Sequence, residues 1–565
     1  MARSRNYTFS EKRNGAGPEW AAVISLVILG LVYYLPMFAM EGIVSSDDTT
    51  FHIGRLVGLS NVWSSPVNFN SFGGNGLMVN IFYPWLTMYP MQLLYRLSGS
   101  YVTAYKLYYT LLTVATLLVA YCSMKRIAGN RAGAYAFAVL YTYSSYRYAD
   151  IFNRGSLGEA IALTFLPLVL LGIYRVCSDE YDRWPSLAAG MTLIAYSHVL
   201  TLLMSAAFVG IIYIATLAFQ DERKKRFMAL VKAAVLSIGL SAAMMVPMLE
   251  QYMKNELFTP GGSGDKMASS AYSPAEIIRF TLVNNPEGRG IGILGAAAAL
   301  AACVLLVIRA FGAGRSERSG RRLSFSLILM IAGALLFVCT SDILPWHYLG
   351  ESTPVSTIQF AWRLNAYPVL SFTAAFAVLI SEACEGSRRV SAAVLAIVIV
   401  AAAGLHGFNL FTHNGIYVDK DPITEADIAK WPSGNVDYAP LRASEYKEAR
   451  GKSMEYMYID GEETEKSPRT EDSGTRYIQT AVTLEDGAAL DIPVFRYYGE
   501  RVLLNGEEAA AEMSERGTTQ LTLPKAGTYT VEISYKYTAA ARAAWLFSII
   551  VLIYGTILVA RKSRR

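Results

Sequence analysis

Charge is scarce in this chain: Asp, Glu, Lys and Arg make up 17% of its 565 residues, and hydrophobic residues make up 53%. A soluble globular chain carries about a quarter charged residues, and a disordered one combines high charge with low hydrophobicity. Both classes are excluded, as is a fibrous repeat. Cysteine is scarce too. The five present (Cys122, Cys177, Cys303, Cys339 and Cys384) lie in or at the ends of apolar segments, so there is neither a disulfide framework nor a paired-cysteine metal motif. The chain has no internal repeat and no inverted-repeat symmetry of the transporter kind. No Walker or dinucleotide pattern surrounds Gly73, Gly74 and Gly76, which read as a flexible turn.

What is present is apolar sequence in blocks long enough to cross a bilayer, roughly 20 residues each. Spans are predicted near 20–40, 103–124, 132–148, 157–176, 185–197, 201–219, 229–249, 291–311, 323–340, 364–381, 390–410 and 541–560. The fold class is therefore an α-helical polytopic membrane protein of about twelve transmembrane helices. The first span is long, carries Tyr33, Tyr34 and Pro36, and lacks a small-residue cleavage pattern; it reads as a retained helix, not a cleaved signal.

The net charge of +5 is unevenly spread. Acids outnumber bases 23 to 14 between His413 and Thr538, while the rest of the chain holds 36 bases and 22 acids. The basic excess sits in short loops (Lys125/Arg126/Arg131, Arg223/Lys224/Lys225/Arg226, Arg315/Arg318/Arg321/Arg322, Arg388/Arg389) and in the tail Arg561/Lys562/Arg564/Arg565. That is a positive-inside bias and not a nucleic-acid footprint. With these loops cytoplasmic, both termini are cytoplasmic. Segments 41–102, 149–158, 250–290, 341–363 and the acidic block then fall outside. The parity holds only if residues 82–97, short, aromatic and carrying Pro84 and Pro90, lie along the outer surface as an interfacial helix.

The domain reading follows. Residues 1–411 form the membrane part with outer loops 41–102, 250–290 and 341–363. Residues 412–540 form an extracytoplasmic domain, and 541–565 a final helix with a basic tail. Within 412–540, alternating runs such as Tyr-Thr-Val-Glu-Ile-Ser-Tyr-Lys-Tyr, with turns at Asn505-Gly506 and Pro524–Gly527, predict a small β-sandwich at about 475–538.

Candidate chemistry gathers in the outer segments. All five histidines (His52, His198, His347, His406 and His413) fall at outer ends or loops in this topology. The first outer loop holds Asp47-Asp48 four residues before His52. Adjacent carboxylates raise one another's pKa and can supply a general base or hold a divalent cation; a helix-capping Asp with a solvated neighbour is the plain alternative. Downstream come Gly74-Asn75-Gly76, Asn80-Ile81-Phe82-Tyr83-Pro84-Trp85, then Asn153-Arg154-Gly155-Ser156-Leu157-Gly158-Glu159, the break Tyr196-Ser197-His198, and Gln359-Phe360-Ala361-Trp362-Arg363. Ionisable groups at a membrane edge are expensive unless used, and an arginine fork suits a phosphate. The plain readings are an Arg154–Glu159 ion pair that orients a turn, and a snorkelling Arg363.

In order and type these motifs resemble the C-type (GT-C) integral-membrane glycosyltransferases. More narrowly they resemble bacterial membrane proteins labelled "6-pyruvoyl-tetrahydropterin synthase-related", a historical misnomer. The resemblance implies a bacterial cytoplasmic-membrane enzyme. It would transfer a sugar from a polyprenyl-phosphate-linked donor to an extracytoplasmic acceptor such as a glycan, glycolipid or wall polymer. It implies a base at Asp47 or Asp48 and donor-phosphate contacts from Arg363, Arg154 and, more weakly, Arg55. His52, Glu159, His198, Trp362 and Tyr83 would support the site. A transporter or flippase, or a non-catalytic scaffold for lipid-linked polymer assembly, are the competing expectations.

Overall fold

The structure, a computed structural model, describes residues 19–259, 263–311, 317–385, 387–412, 422–429, 437–450, 456–464 and 474–563. Its helices in chain order are α1 (Glu19–Tyr34), α2 (Thr49–Gly58), α3 (Tyr89–Ser98), α4 (Tyr101–Ala128), α5 (Arg131–Thr142), α6 (Leu157–Cys177), α7 (Pro185–Ala195), α8 (Val199–Thr216), α9 (Arg223–Lys254), α10 (Gly292–Phe311), α11 (Glu317–Val338), α12 (Ala366–Glu385), α13 (Arg388–Thr412) and α14 (Ala539–Ser563), besides shorter turns. Ten helices among the described residues are long and apolar enough to cross a membrane. The chain is a multi-pass membrane protein.

Two of the twelve expected spans are shorter than predicted. The stretch 132–148 is helical only to Thr142, and 185–197 forms an 11-residue helix. The first breaks at Tyr143-Ser144 and continues as one turn, Ser145–Tyr148, and a π-helical turn, Ala149–Asn153. Such turns widen the helix and re-aim its side chains. The stretch 82–97 yields α3, ten residues with Pro90 in its first turn and a left-handed Gly99 (φ 68°) after its end. At 1.5 Å per residue it is about half the length a bilayer requires.

The helix ends follow local chemistry. Ser100 caps α4 by accepting from Thr103 N at 3.0 Å, and Asn130 caps α5 by accepting from Ala132 N at 2.8 Å. Between them Gly129 takes φ 69°, its N–H closing on Lys125 O. Small residues let the bundle close: a Cβ on Gly133 would strike Ala377 O and Ser381 Oγ on α12, and one on Gly172 would strike Leu187 on α7. Helix α12 is almost wholly buried at the centre, against α5, α10 and α11, whereas α14 lies at the edge, packed along α9.

Among the described residues the sheet region holds nine antiparallel strands: β1 (Tyr458–Ile459), β2 (Glu462–Glu463), β3 (Arg476–Thr483), β4 (Ala489–Phe495), β5 (Glu500–Leu504), β6 (Glu507–Glu508), β7 (Glu512–Met513), β8 (Thr518–Thr522) and β9 (Gly527–Tyr535). They form two sheets ordered β2-β1-β4-β8-β7 and β3-β9-β5-β6. Asn505 and Gly506 both take positive φ (51° and 85°) at the β5–β6 hairpin, the requirement of a type I′ turn.

This sheet core is not self-contained. Val67, Phe69, Phe72, Leu77, Met78, Val79 and Phe82 from the first loop share one buried cluster with Leu490, Ile492, Val494, Val531, Ile533 and Tyr535. Phe495 N donates to Asn75 O at 2.8 Å, Asn75 Nδ2 to Pro493 O at 2.7 Å, and Tyr537 Oη to Val62 O at 2.6 Å. The loop that carries the acidic pair is thus fastened at its far end to the C-terminal sheets.

Candidate functional site

Two helix N-termini meet at the sheet-bearing end of the bundle. Asp48 occupies the capping position of α2 and Ser156 that of α6, yet neither side chain caps its helix. Both residue types are preferred as caps, and a forgone cap costs about 1 kcal/mol. Ser156 Oγ donates instead to Asp48 Oδ2 at 2.8 Å, and Asp48 N donates to Arg154 O at 2.8 Å. Gly155, φ 64°, makes the crossing possible: a Cβ there would fall on Ser46 Oγ and Thr49 Oγ1. Gly158 is equally constrained, its absent Cβ facing the Tyr83 ring and hydroxyl at 2.7 and 2.8 Å. The glycines of Arg-Gly-Ser-Leu-Gly-Glu are therefore contact residues between two loops. Asp47, by contrast, is exposed.

Behind this crossing lies a buried chain of alternating charge. Glu159, fully buried, accepts from Arg154 Nη1 at 3.0 Å and from the Tyr146 hydroxyl at 2.5 Å, and lies 3.6 Å from Arg363 Nε. Arg154 also pairs with Asp150, and its guanidinium carbon sits 4.6 Å from the centre of the Trp362 ring. Arg363 Nη1 donates to Gln359 Oε1 at 2.7 Å and Ile358 O at 3.1 Å. Burial and the neighbouring Glu159 push the Asp150 carboxyl well above its ordinary range, against the pull of Arg154. Arg154 and Arg363 thus share the Glu159 carboxylate, and paired guanidiniums can grip an anion through their forks of N–H donors.

Arg55 has other partners. Its guanidinium donates to Pro84 O at 2.5 Å, Tyr83 O at 3.3 Å and Asn80 Oδ1 at 3.3 Å, lies 4.2 Å above the Tyr83 ring, and is 1% exposed. It holds the 80–84 turn. His52 Nδ1 is 3.2 Å from Arg55 Nη1; arginine has only donors, so this nitrogen accepts and the proton sits on Nε2. Burial and Arg55 hold His52 well below its ordinary pKa, in the neutral form. The rings of His52 and His198 flank Tyr83 at 5.7 and 5.9 Å, and His198 Nδ1 is 2.8 Å from Thr201 Oγ1.

Asp48, His52, Arg55, Tyr83, Arg154, Glu159, His198, Trp362 and Arg363 are thus linked in one region. The other histidines are elsewhere: His347 pairs with Asp265 at 2.8 Å, His406 is buried against Tyr33 O at 2.9 Å, and His413 lies outside the described residues. Sequence reasoning passed over Asp150 and Tyr146, and gave Asn80 and Ser156 no role of their own within the motifs that contain them. It also missed Arg147, buried with Nε and Nη2 unpartnered among the described residues. The run Ser-Ser-Tyr-Arg-Tyr-Ala-Asp held the signal: Arg147 and Asp150 inside an apolar span are themselves anomalous. Among the described residues no group of three His, Cys, Asp or Glu side chains can hold a metal ion.

The fold and this cluster define a polytopic membrane protein with a buried, arginine-rich polar site beside its sheet domain. No protein-family model matches the chain, and no curated protein matches it. Among solved structures it is similar to the arabinofuranosyltransferase AftD from Mycobacteria, at 16% identity over 70% of this chain with a TM-score of 0.44. It is also similar to ArnT from Cupriavidus metallidurans bound to undecaprenyl phosphate, at 13% identity over 66% of this chain and 79% of that one, with a TM-score of 0.30. The chain spans 27% of the AftD chain.

Proposed function

We propose that this protein is a C-type membrane glycosyltransferase that moves a sugar from a polyprenyl-phosphate-linked donor to an extracytoplasmic glycan, glycolipid or wall polymer. The observation that carries the reading is the linkage of a carboxylate to a guanidinium pair. Asp48 is bonded to Ser156, two residues from Arg154, and Arg154 shares Glu159 with Arg363. A base and an anion-binding pair within one network suit a displacement that takes up a proton and releases a phosphate.

In the proposed reaction the acceptor hydroxyl oxygen forms a bond to the anomeric carbon while its proton passes to Asp48. The bond from the anomeric carbon to the phosphate oxygen breaks, and its electron pair leaves with polyprenyl phosphate, which gains one negative charge. Arg154 and Arg363 receive that charge. Arg55, His52 and Tyr83 fix the 80–84 turn beside the base, and His198 stands neutral behind Tyr83. No step passes through a metal ion.

The proposed setting is a bacterial cytoplasmic membrane, with both termini inside and the site and sheet domain outside. The enzymatic test uses purified protein in lipid vesicles and synthetic polyprenyl-phosphate hexoses and pentoses carrying a radiolabel. Label should pass to an envelope-glycan fraction in wild-type protein and not in Asp48→Asn. Transfer by neither, or by both equally, defeats the proposal. Cysteines placed at Ser98 and Lys224, both exposed, test the orientation: only the first should label from outside.

A further inference from the structure

We infer that Ser156 is a positioning residue for the base: its hydroxyl holds the Asp48 carboxylate in the orientation that receives the acceptor proton. The inference rests on the proposed reaction. Three observations carry it. Ser156 stands at the N-terminus of α6, where a serine ordinarily turns its oxygen onto its own helix, and it does not do so. Its hydroxyl goes to Asp48 Oδ2, on a loop 108 residues away in sequence, at 2.8 Å. Asp48 in turn stands at the N-terminus of α2 without capping it. Each residue has given up its local partner for the other.

The geometry has a directional consequence. A hydroxyl that donates to one carboxylate oxygen engages that oxygen and leaves Oδ1 for the acceptor. Asp48 N is also tied to Arg154 O, so backbone and side chain are held from the same turn, and the carboxylate cannot rotate freely about its own bonds. Asp47, the neighbouring acid, is exposed, which explains why only one of the pair is prepared. The ionisable groups facing Asp48 are Asp47 and His52 on its own loop, Tyr83 on the following turn, Tyr105 on α4 and Arg154 on the turn that supplies Ser156. None of them forms a side-chain hydrogen bond to Asp48 among the described residues, so Ser156 stands as the side chain that orients it.

The experiment compares Ser156→Ala, Ser156→Thr and Asp48→Asn as full-length proteins in lipid vesicles, with labelled polyprenyl-phosphate sugars as donor probes. Loss of one charge-assisted hydrogen bond at the base should lower kcat roughly ten- to hundredfold in Ser156→Ala, with donor KM and melting temperature unchanged. Ser156→Thr keeps the hydroxyl and should recover most of the turnover. A wild-type kcat in Ser156→Ala while Asp48→Asn is inactive overturns the positioning role and leaves the base assignment standing. An Ala effect confined to KM, or one that Thr does not rescue, overturns it as well. Full activity in Asp48→Asn overturns the proposed reaction itself.

Discussion

The guanidinium carbon of Arg154 lies 4.6 Å from the centre of the Trp362 ring, which brings the Arg-Gly-Ser-Leu-Gly-Glu turn onto the Gln-Phe-Ala-Trp-Arg turn. The contact does two things. It covers one face of a buried cation with a π surface, and it sets Arg154 and Arg363 on either side of Glu159, at 3.0 and 3.6 Å. Trp362 thereby covers a buried charge.

The acidic pair should divide sharply. Asp48 is hydrogen-bonded within the site and Asp47 is exposed. Asp48→Asn is expected to lower turnover by about a hundredfold or more, and Asp47→Asn by no more than a few-fold. Label transfer in vesicles measures both. Equal losses would show that the two carboxylates act together.

Arg363 should be sensitive to shape as well as charge. Its fork engages Gln359 and Ile358 and approaches Glu159, which a lysine cannot reproduce. Arg363→Ala should raise donor KM strongly, with Arg363→Lys recovering only part. Unchanged donor dependence in both Arg363→Ala and Arg154→Ala would remove the phosphate clamp.

Glu159 is the shared acid of the buried network. Glu159→Gln leaves Arg363 without its carboxylate partner and Arg154 with Asp150 alone, at a cost of about 3 kcal/mol. A lower melting temperature in lipid nanodiscs is the expected reading. Arg363→Met should partly restore it in the double variant, because the orphaned charge is then gone.

Gly155→Ala tests the crossing of the two loops. The residue sits at φ 64°, and the added Cβ would meet Ser46 Oγ and Thr49 Oγ1. Strain of roughly 1–3 kcal/mol is expected, together with loss of transfer activity from displacement of Asp48. A fully active, equally stable variant would show that the turn adapts without disturbing the base.

Acid should loosen the first loop through His52. In the fold its pKa is depressed by burial and Arg55, so below the unfolded value of about 6.5 the unfolded chain binds a proton the native one does not. Stability contributed by neutral His52 is present above that value and falls as pH drops beneath it, by about 1.4 kcal/mol per unit. Melting temperature should therefore decline between pH 6.5 and 5, and decline less in His52→Gln. Identical pH profiles would place the titrating group elsewhere.

The sequence by itself determined the class of molecule. Apolar runs of bilayer length have no stable alternative to crossing helices, and Asn505-Gly506 demands its hairpin because few residues accept positive φ at both positions. It also brought forward the residues of the site, since ionisable groups at a membrane edge stand out. Between Asp47 and Asp48 it leaned to the second only by its four-residue spacing to His52; the approach of Ser156 to Asp48 from a distant turn, which gives the two acids different surroundings, lies beyond local sequence. Nor could it foresee that Arg55 would hold the 80–84 turn, because its partners at Asn80, Tyr83 and Pro84 come from the fold of the loop. The spans near 132–148 and 185–197 shortened because helices surrounded by protein need not match the bilayer's thickness. The largest decision left to tertiary structure was the joining of residues 67–82 to the sheet core. Alternation within a strand says which face is apolar but not what will cover it, and here the cover is the loop that carries Asp48.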